Sequence, residues 1–211
     1  MNFKKQAYEN MADSLIEKFN LRGFEGYYVD NKDEALSMAE RFLTPGCSVS
    51  WGGSATLDEI GLINNLKASD YIVYDRTTCK TEEERAKLYS QVVVCDYYFM
   101  SSNAITLDGE LVNVDGNGNR VACLITGPKN VIVIAGMNKI VPDVKSALLR
   151  VRNFAAPPNS LRLSLSTPCT QIGRCADCLV KDCICCQTVI TRKSRIQDRI
   201  KIILVGEELG F

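Results

Sequence analysis

Apolar positions recur at helical spacing near the start of the chain. Phe3, Ala7, Met11, Leu15, Ile16 and Phe19 share one face of a helix expected over residues 3–19, and Gly23 lies just past its end as a stop. The pattern then shortens. Residues 26–29 read as a strand, 33–43 as a helix capped near Asn31 and ended by Pro45 and Gly46, and 47–51 as a strand entering the turn Gly52-Gly53-Ser54. A helix is expected from Thr56 or Asp58, a strand over 70–75, a helix over 81–89 with three glutamates in its first turn, and a strand over 92–95. This alternation predicts an α/β domain with a largely parallel sheet covered by helices on both faces.

From Tyr97 the rhythm changes. Apolar strands are expected at 104–106, 111–114, 122–125 and 131–135, separated by turns rich in Gly, Asn and Asp, and these hairpins are expected to join the same sheet. Pro142 and Asp143 open a helix running through Val151, which Pro157 and Pro158 end. Residues 201–205 form a last strand. Because that strand follows a cysteine-rich segment at 167–187, the segment is an excursion from one domain spanning 1–211 rather than a free tail.

Charge changes the picture little. Lys and Arg total 25, as do Asp and Glu, so no global field attracts a nucleic acid. The basic run Arg192, Lys193, Arg195, Arg199 and Lys201 reads as a solvated helix face. No apolar run reaches the roughly 18 residues of a membrane span. Met1 to Leu15 lacks the apolar core of an export signal, so a cytoplasmic protein is expected. The chain has no histidine. That removes the usual general base and the commonest zinc ligand, leaving proton transfer or covalent chemistry to residues such as Asp108, Glu110, Asp115 and Lys139, none of which stands out.

Six of the ten cysteines fall within 18 residues: Cys169, Cys175, Cys178, Cys183, Cys185 and Cys186. Under a reducing poise, thiolates converging on an ion tolerate such crowding better than independent disulfides do. Cys175-x-x-Cys178 is the strongest pair, and four thiolates suit zinc or a [4Fe–4S] cluster equally by ligand type. The two-cluster ferredoxin run C-x-x-C-x-x-C-x-x-x-C-P is missing. Cys47, Cys79, Cys95 and Cys123 lie in or beside apolar stretches and read as small buried hydrophobes.

Two loops carry candidate ligand contacts. Gly52, Gly53, Ser54 and Thr56 sit where a strand meets a helix, the place where open α/β sheets welcome anions, although the pattern matches neither common nucleotide fingerprint. The alternative is a tight turn in which Ser or Thr caps the helix. The second set is Asn103, Asp115, Asn119 and Arg120, where an Arg at the end of a glycine turn can reach an anion bidentately. Here too the glycines serve a turn.

Several segments together resemble the lactate utilisation family, or LUD domain: Ser50-Trp51-Gly52-Gly53-Ser54, the run Asn103 to Asn113, the turn Asp115-Gly116-Asn117-Gly118-Asn119-Arg120-Val121, and Gly127-Pro128-Lys129 leading to Gly136-Met137-Asn138-Lys139-Ile140. The tail is similar to a subset of that family with four cysteines, which selects Cys169, Cys175, Cys178 and Cys185 as metal ligands and leaves Cys183 and Cys186 spare. The resemblance implies a fold related to sugar-phosphate isomerases and coenzyme A transferases, whose loops bind sugar phosphates or coenzyme A thioesters. A transferase nucleophile, a glutamate, cannot be placed by motif. Family members occur with iron–sulfur, flavin or dehydrogenase partners in lactate oxidation. Two functions follow as expectations: an accessory or electron-transfer component of organic-acid oxidation with redox partner subunits, or a protein or enzyme binding a small anionic metabolite over a structural zinc. Homo-oligomerisation is a further expectation.

Overall fold

The computed structural model describes residues 3–211. Along the chain run α1 (Phe3–Leu21), β1 (Glu25–Val29), α2 (Lys32–Arg41), β2 (Ser48–Trp51), α3 (Ala55–Glu59), α4 (Leu62–Ala68), β3 (Ile72–Tyr74) and α5 (Glu82–Val92). They are followed by β4 (Tyr97–Met100), β5 (Ala104–Thr106), β6 (Leu111–Asp115), α6 (Asn119–Ile125), β7 (Asn130–Gly136) and β8 (Ile140–Val141). Last come α7 (Val144–Arg150), α8 (Ala156–Arg162), α9 (Pro168–Ile172), β9 (Gln187–Thr191) and β10 (Ile200–Val205). Local chemistry sets several starts. Asn31 caps α2 through the N–H groups of Asp33 and Glu34, and Thr81 with Glu84 forms a reciprocal capping box on α5.

Six strands form one sheet in the order β1-β10-β7-β4-β2-β3, every pair parallel. The central strands are apolar on both faces, as a doubly covered sheet requires. Val131, Val133 and Ala135 of β7 face one core with Ile202 and Leu204, closed by Leu15 and Phe19 of α1. Ile132 and Ile134 face the other with Ile203 and Val205, closed by Ala35, Ala39, Leu57 and Leu66 from α2, α3 and α4. Deleting a few methylenes from such a side chain costs about 2–5 kcal/mol, because the site cannot collapse around the void.

The structure departs from the sequence pattern at five places. Of the strands expected to join the sheet, 131–135 does so as β7, whereas 104–106 and 111–114 build a second sheet, β8-β5-β6-β9. A small core of Ala104, Val112 and Ala147 lies between this sheet and α7. Residues 122–125, expected as a strand, belong to helix α6: Gly118 at φ +81° turns the chain into it, and Val121, Cys123 and Leu124 are buried. A four-residue apolar run has no period that separates the two states. The strand expected at 92–95 lies at 97–100, because α5 carries on through Val92. Pro157 and Pro158 do not end the helix. A π turn over Val151–Ala155 absorbs the mismatch and they fall in the first turn of α8, where missing N–H groups cost nothing. Finally, the basic run is a loop that leads into β10 at Lys201, not a helix face. Its Arg199 is buried and donates to the carbonyls of Pro128, Leu124 and Cys123, closing the end of α6.

Candidate functional site

Because the six strands run parallel, their carboxyl ends open on one edge, where such sheets bind ligands. A cleft of about 990 Å³ lies there. Trp51, Gly53 and Ser54 after β2, Arg76 after β3, Ser101 and Ser102 after β4, and Lys139 after β7 line it. The facing wall comes from Asp115, Asn119 and Arg120, from Asn159 and Arg162 of α8, and from the segment Lys181 to Cys186. The polar loops and half of the cysteine cluster therefore share one cavity.

Gly53 is the meeting point. A Cβ built on it would lie 2.5 Å from Nη2 of Arg76 and 3.9 Å from Nη2 of Arg162. Asp75 leaves Arg76 free: its carboxylate accepts from Thr77 N–H at 2.9 Å and from Lys67 Nζ at 2.6 Å. The Arg76 guanidinium has no hydrogen bond or ion pair among the described residues. Among the described residues the Arg162 guanidinium donates only to the Asn159 amide oxygen, at 2.8 and 3.1 Å. Neither residue stood out in the sequence. Their signal was positional, since Arg76 follows a strand end and Arg162 closes a helix whose path the prolines disguised.

Ser54 serves as the cap of α3, its hydroxyl accepting from Leu57 N–H at 3.4 Å, and Thr56 is fully buried. Gly52 packs on the Arg120 stem. Arg120 itself departs from the expected anion clamp. Its five donors meet five protein acceptors: Asp115 Oδ2, Asn113 Oδ1, Asn103 Oδ1 and the carbonyls of Ser101 and Val114. It is the strut that joins β4, β5 and β6. Asn103 spends its side-chain oxygen on Arg120 and Val114 N–H, and Asp115 also accepts from Gly118 N–H at 2.8 Å. Asn119 lines the cleft.

Of the four carboxylate and amine candidates, Asp108 and Glu110 lie in the β5–β6 turn against Arg22, just past α1, away from the cleft. Lys139 is inside it. Burial pushes its amine down to about 7, helped by Arg150 and Arg120 and opposed by Glu59.

The cysteine segment leaves α8, passes through α9 and returns as β9. The Cys186 N–H donates to the Asp115 carbonyl, and β9 then pairs antiparallel with β6. Cys185 is exposed as a residue, yet its thiol is pushed up to about 12, first by desolvation and then by Cys183, Cys175 and Cys169. Burial also raises Cys178, and Cys183 adds to that shift. Cys183, spare in the family pattern, is thus the neighbour common to both. Cys175 accepts from Arg152 Nε at 3.4 Å. Among the described residues no three Cys, Asp or Glu side chains converge tightly enough to ligate an ion as placed. The donors are of the right chemistry for zinc or a cluster, and the thiols are neighbours rather than a closed cage. Cys47, Cys95 and Cys123 are buried as expected, with Cys95 pushed up to about 12 and Cys123 to about 11 by desolvation, whereas Cys79 is half-buried.

The LUD domain matches residues 12–205. The chain belongs to the LUD-domain family. The crystal structure of a DUF162 family protein from Deinococcus radiodurans has a similar fold, with a TM-score of 0.55 at 13% identity over 94% of this chain and 98% of that one. Weaker likenesses link this LUD domain to ribose 5 phosphate isomerase A from Neisseria gonorrhoeae (TM-score 0.35, 14% identity, 54% of each chain) and to eIF2B beta from Chaetomium thermophilum (0.36, 18%, 55% of this chain and 44% of that one). No curated protein matches significantly. Among the described residues, no helix of the LUD domain is long and apolar enough to cross a membrane.

Proposed function

We propose that this LUD domain binds a small organic anion, bearing a carboxylate or phosphate, in the cleft at the strand ends, as a component of organic-acid oxidation. The carrying observation is the approach of Arg76 and Arg162 over Gly53, neither with a carboxylate partner. The cleft's charge supports it. Leaving Lys139 aside, five Arg and Lys side chains line the cleft with three carboxylate side chains, and of those Glu82 is paired to Arg85 and Asp115 to Arg120. In a chain of zero net charge this is a local concentration of positive potential, which draws anions. Calorimetric titration with lactate, pyruvate, ribose 5-phosphate and coenzyme A tests it. One of these should bind, and the double variant Arg76→Ala/Arg162→Ala should bind it at least tenfold more weakly; no binding by any of the four refutes the reading.

A second reading rests on the cysteine segment, whose Cys183, Cys185 and Cys186 stand in the same wall. Cys169, Cys175, Cys178 and Cys185, with Cys183 among them, would hold the metal. A [4Fe–4S] cluster there supplies electron transfer beside the bound acid toward redox partner subunits, whereas zinc supplies a structural staple. Iron, zinc and acid-labile sulfide analysis of protein purified without oxygen separates the two.

A further inference from the structure

Lys139 lies just beyond the carboxyl end of β7, in the cleft, and is only 3% exposed. Its Nζ donates to Thr56 Oγ1 at 2.8 Å and to Ser101 Oγ at 2.9 Å. Both hydroxyls pass their own proton onward, Thr56 to the carbonyl of Leu209 and Ser101 to that of Ser102, each at 3.4 Å. Each therefore turns a lone pair toward the lysine. Two acceptors satisfy the two N–H bonds of a neutral amine and leave its lone pair over. An ammonium would carry a third N–H, and among the described residues no carboxylate bonds this group: Glu59, the acid that favours its charge, accepts from Gly210 N–H at 2.8 Å. The polar surroundings thus match the free base, which is the form that attacks carbonyl carbon.

We propose that Lys139 is a nucleophile that forms an imine with an aldehyde or ketone carried on the organic anion bound in the cleft. This rests on the anion reading of the same cavity. The amine lone pair attacks the carbonyl carbon and the C–O π pair moves to oxygen. The resulting carbinolamine loses water, in which the carbonyl oxygen leaves with the two former amine protons, and the C=N bond remains. Thr56 and Ser101 already hold those protons in hydrogen bonds. Nothing is oxidised or reduced in the step.

The full chain, incubated with pyruvate or with glyceraldehyde 3-phosphate and then treated with borohydride, should carry a reduced adduct on the peptide containing Lys139. Labelling by pyruvate alone identifies an oxo acid, and labelling by the aldehyde alone a sugar phosphate. Lactate, which has no aldehyde or ketone group, should give none, and Lys139→Met should lose the adduct. Peptide mapping is done on the wild-type chain, so the test survives a variant that fails to fold. Adducts spread over exposed lysines, or none, overturn the proposal. If pyruvate or the aldehyde binds in titration without labelling Lys139, the imine is wrong and the anion site stands; if no anion binds, both fall.

Discussion

Arg76 stands directly over Gly53: a methyl group on that glycine would come within 2.5 Å of the guanidinium. Gly53 is not held at a positive φ, so its value here is the space it leaves rather than its backbone freedom. Gly53→Ala should accordingly fold, with a melting midpoint within a few degrees of the parent, because the flexible end of Arg76 swings aside. Anion affinity should drop roughly tenfold, the value of one charged hydrogen bond. Unchanged affinity in titration would remove Arg76 from the site.

Arg120→Met should behave in the opposite way. Five acceptors lose their donor, and the buried Asp115 carboxylate loses its ion pair, so urea unfolding should show a loss of about 3–5 kcal/mol. A stability change under 1 kcal/mol, with binding abolished, would restore Arg120 to the role of anion clamp.

Lys139 imposes a pH dependence on folding. Its amine, ordinarily near 10.5, falls to about 7 in the fold, first through burial, with Arg150 of α7 and Arg120 of α6 also disfavouring the charge and Glu59 of α3 favouring it. Between these values the unfolded chain binds more protons than the native one, so this residue makes stability rise with pH above 7. Against Lys139→Met, the parent should gain up to about 1.4 kcal/mol per pH unit from pH 7 to 9. Parallel stability curves for the two proteins would show that the amine is not shifted.

The thiol wall makes a separable prediction. Protein purified without oxygen should contain bound metal, and Cys175→Ser should lose it without moving the melting transition of the six-stranded sheet, because Cys175 lies outside both of its cores. Metal-free wild-type protein would overturn the second reading and leave the anion site untouched.

The main sheet was legible because its strands are buried on both faces and its helices carry caps and periodic apolar faces. Val131 to Ala135, Asn31 and the Thr81–Glu84 pair are examples. Short pieces were not: Ala122 to Ile125 and Val92 to Cys95 are apolar throughout, so their state came from what they pack against. Gly52 to Thr56 pointed to the edge of the sheet where the cleft opens, but the contacts within it had to be redistributed. Ser54 caps a helix, Arg120 braces three strands, and Arg76 and Arg162 take the exposed positions.

Residue order by itself determined the alternation of strands and helices, the family, the cysteine cluster and the loop at the edge where the cleft opens, because each is written in local spacing and residue type. Only the tertiary structure decided that the cysteine segment returns as β9 to wall the same cleft. It also set two unpaired arginines over Gly53 and surrounded Lys139 with two hydroxyl acceptors and no carboxylate. Those relationships join residues 23 to 109 positions apart, and burial and hydrogen bonding, which make or unmake a charge, depend on neighbours in space that local pattern does not encode.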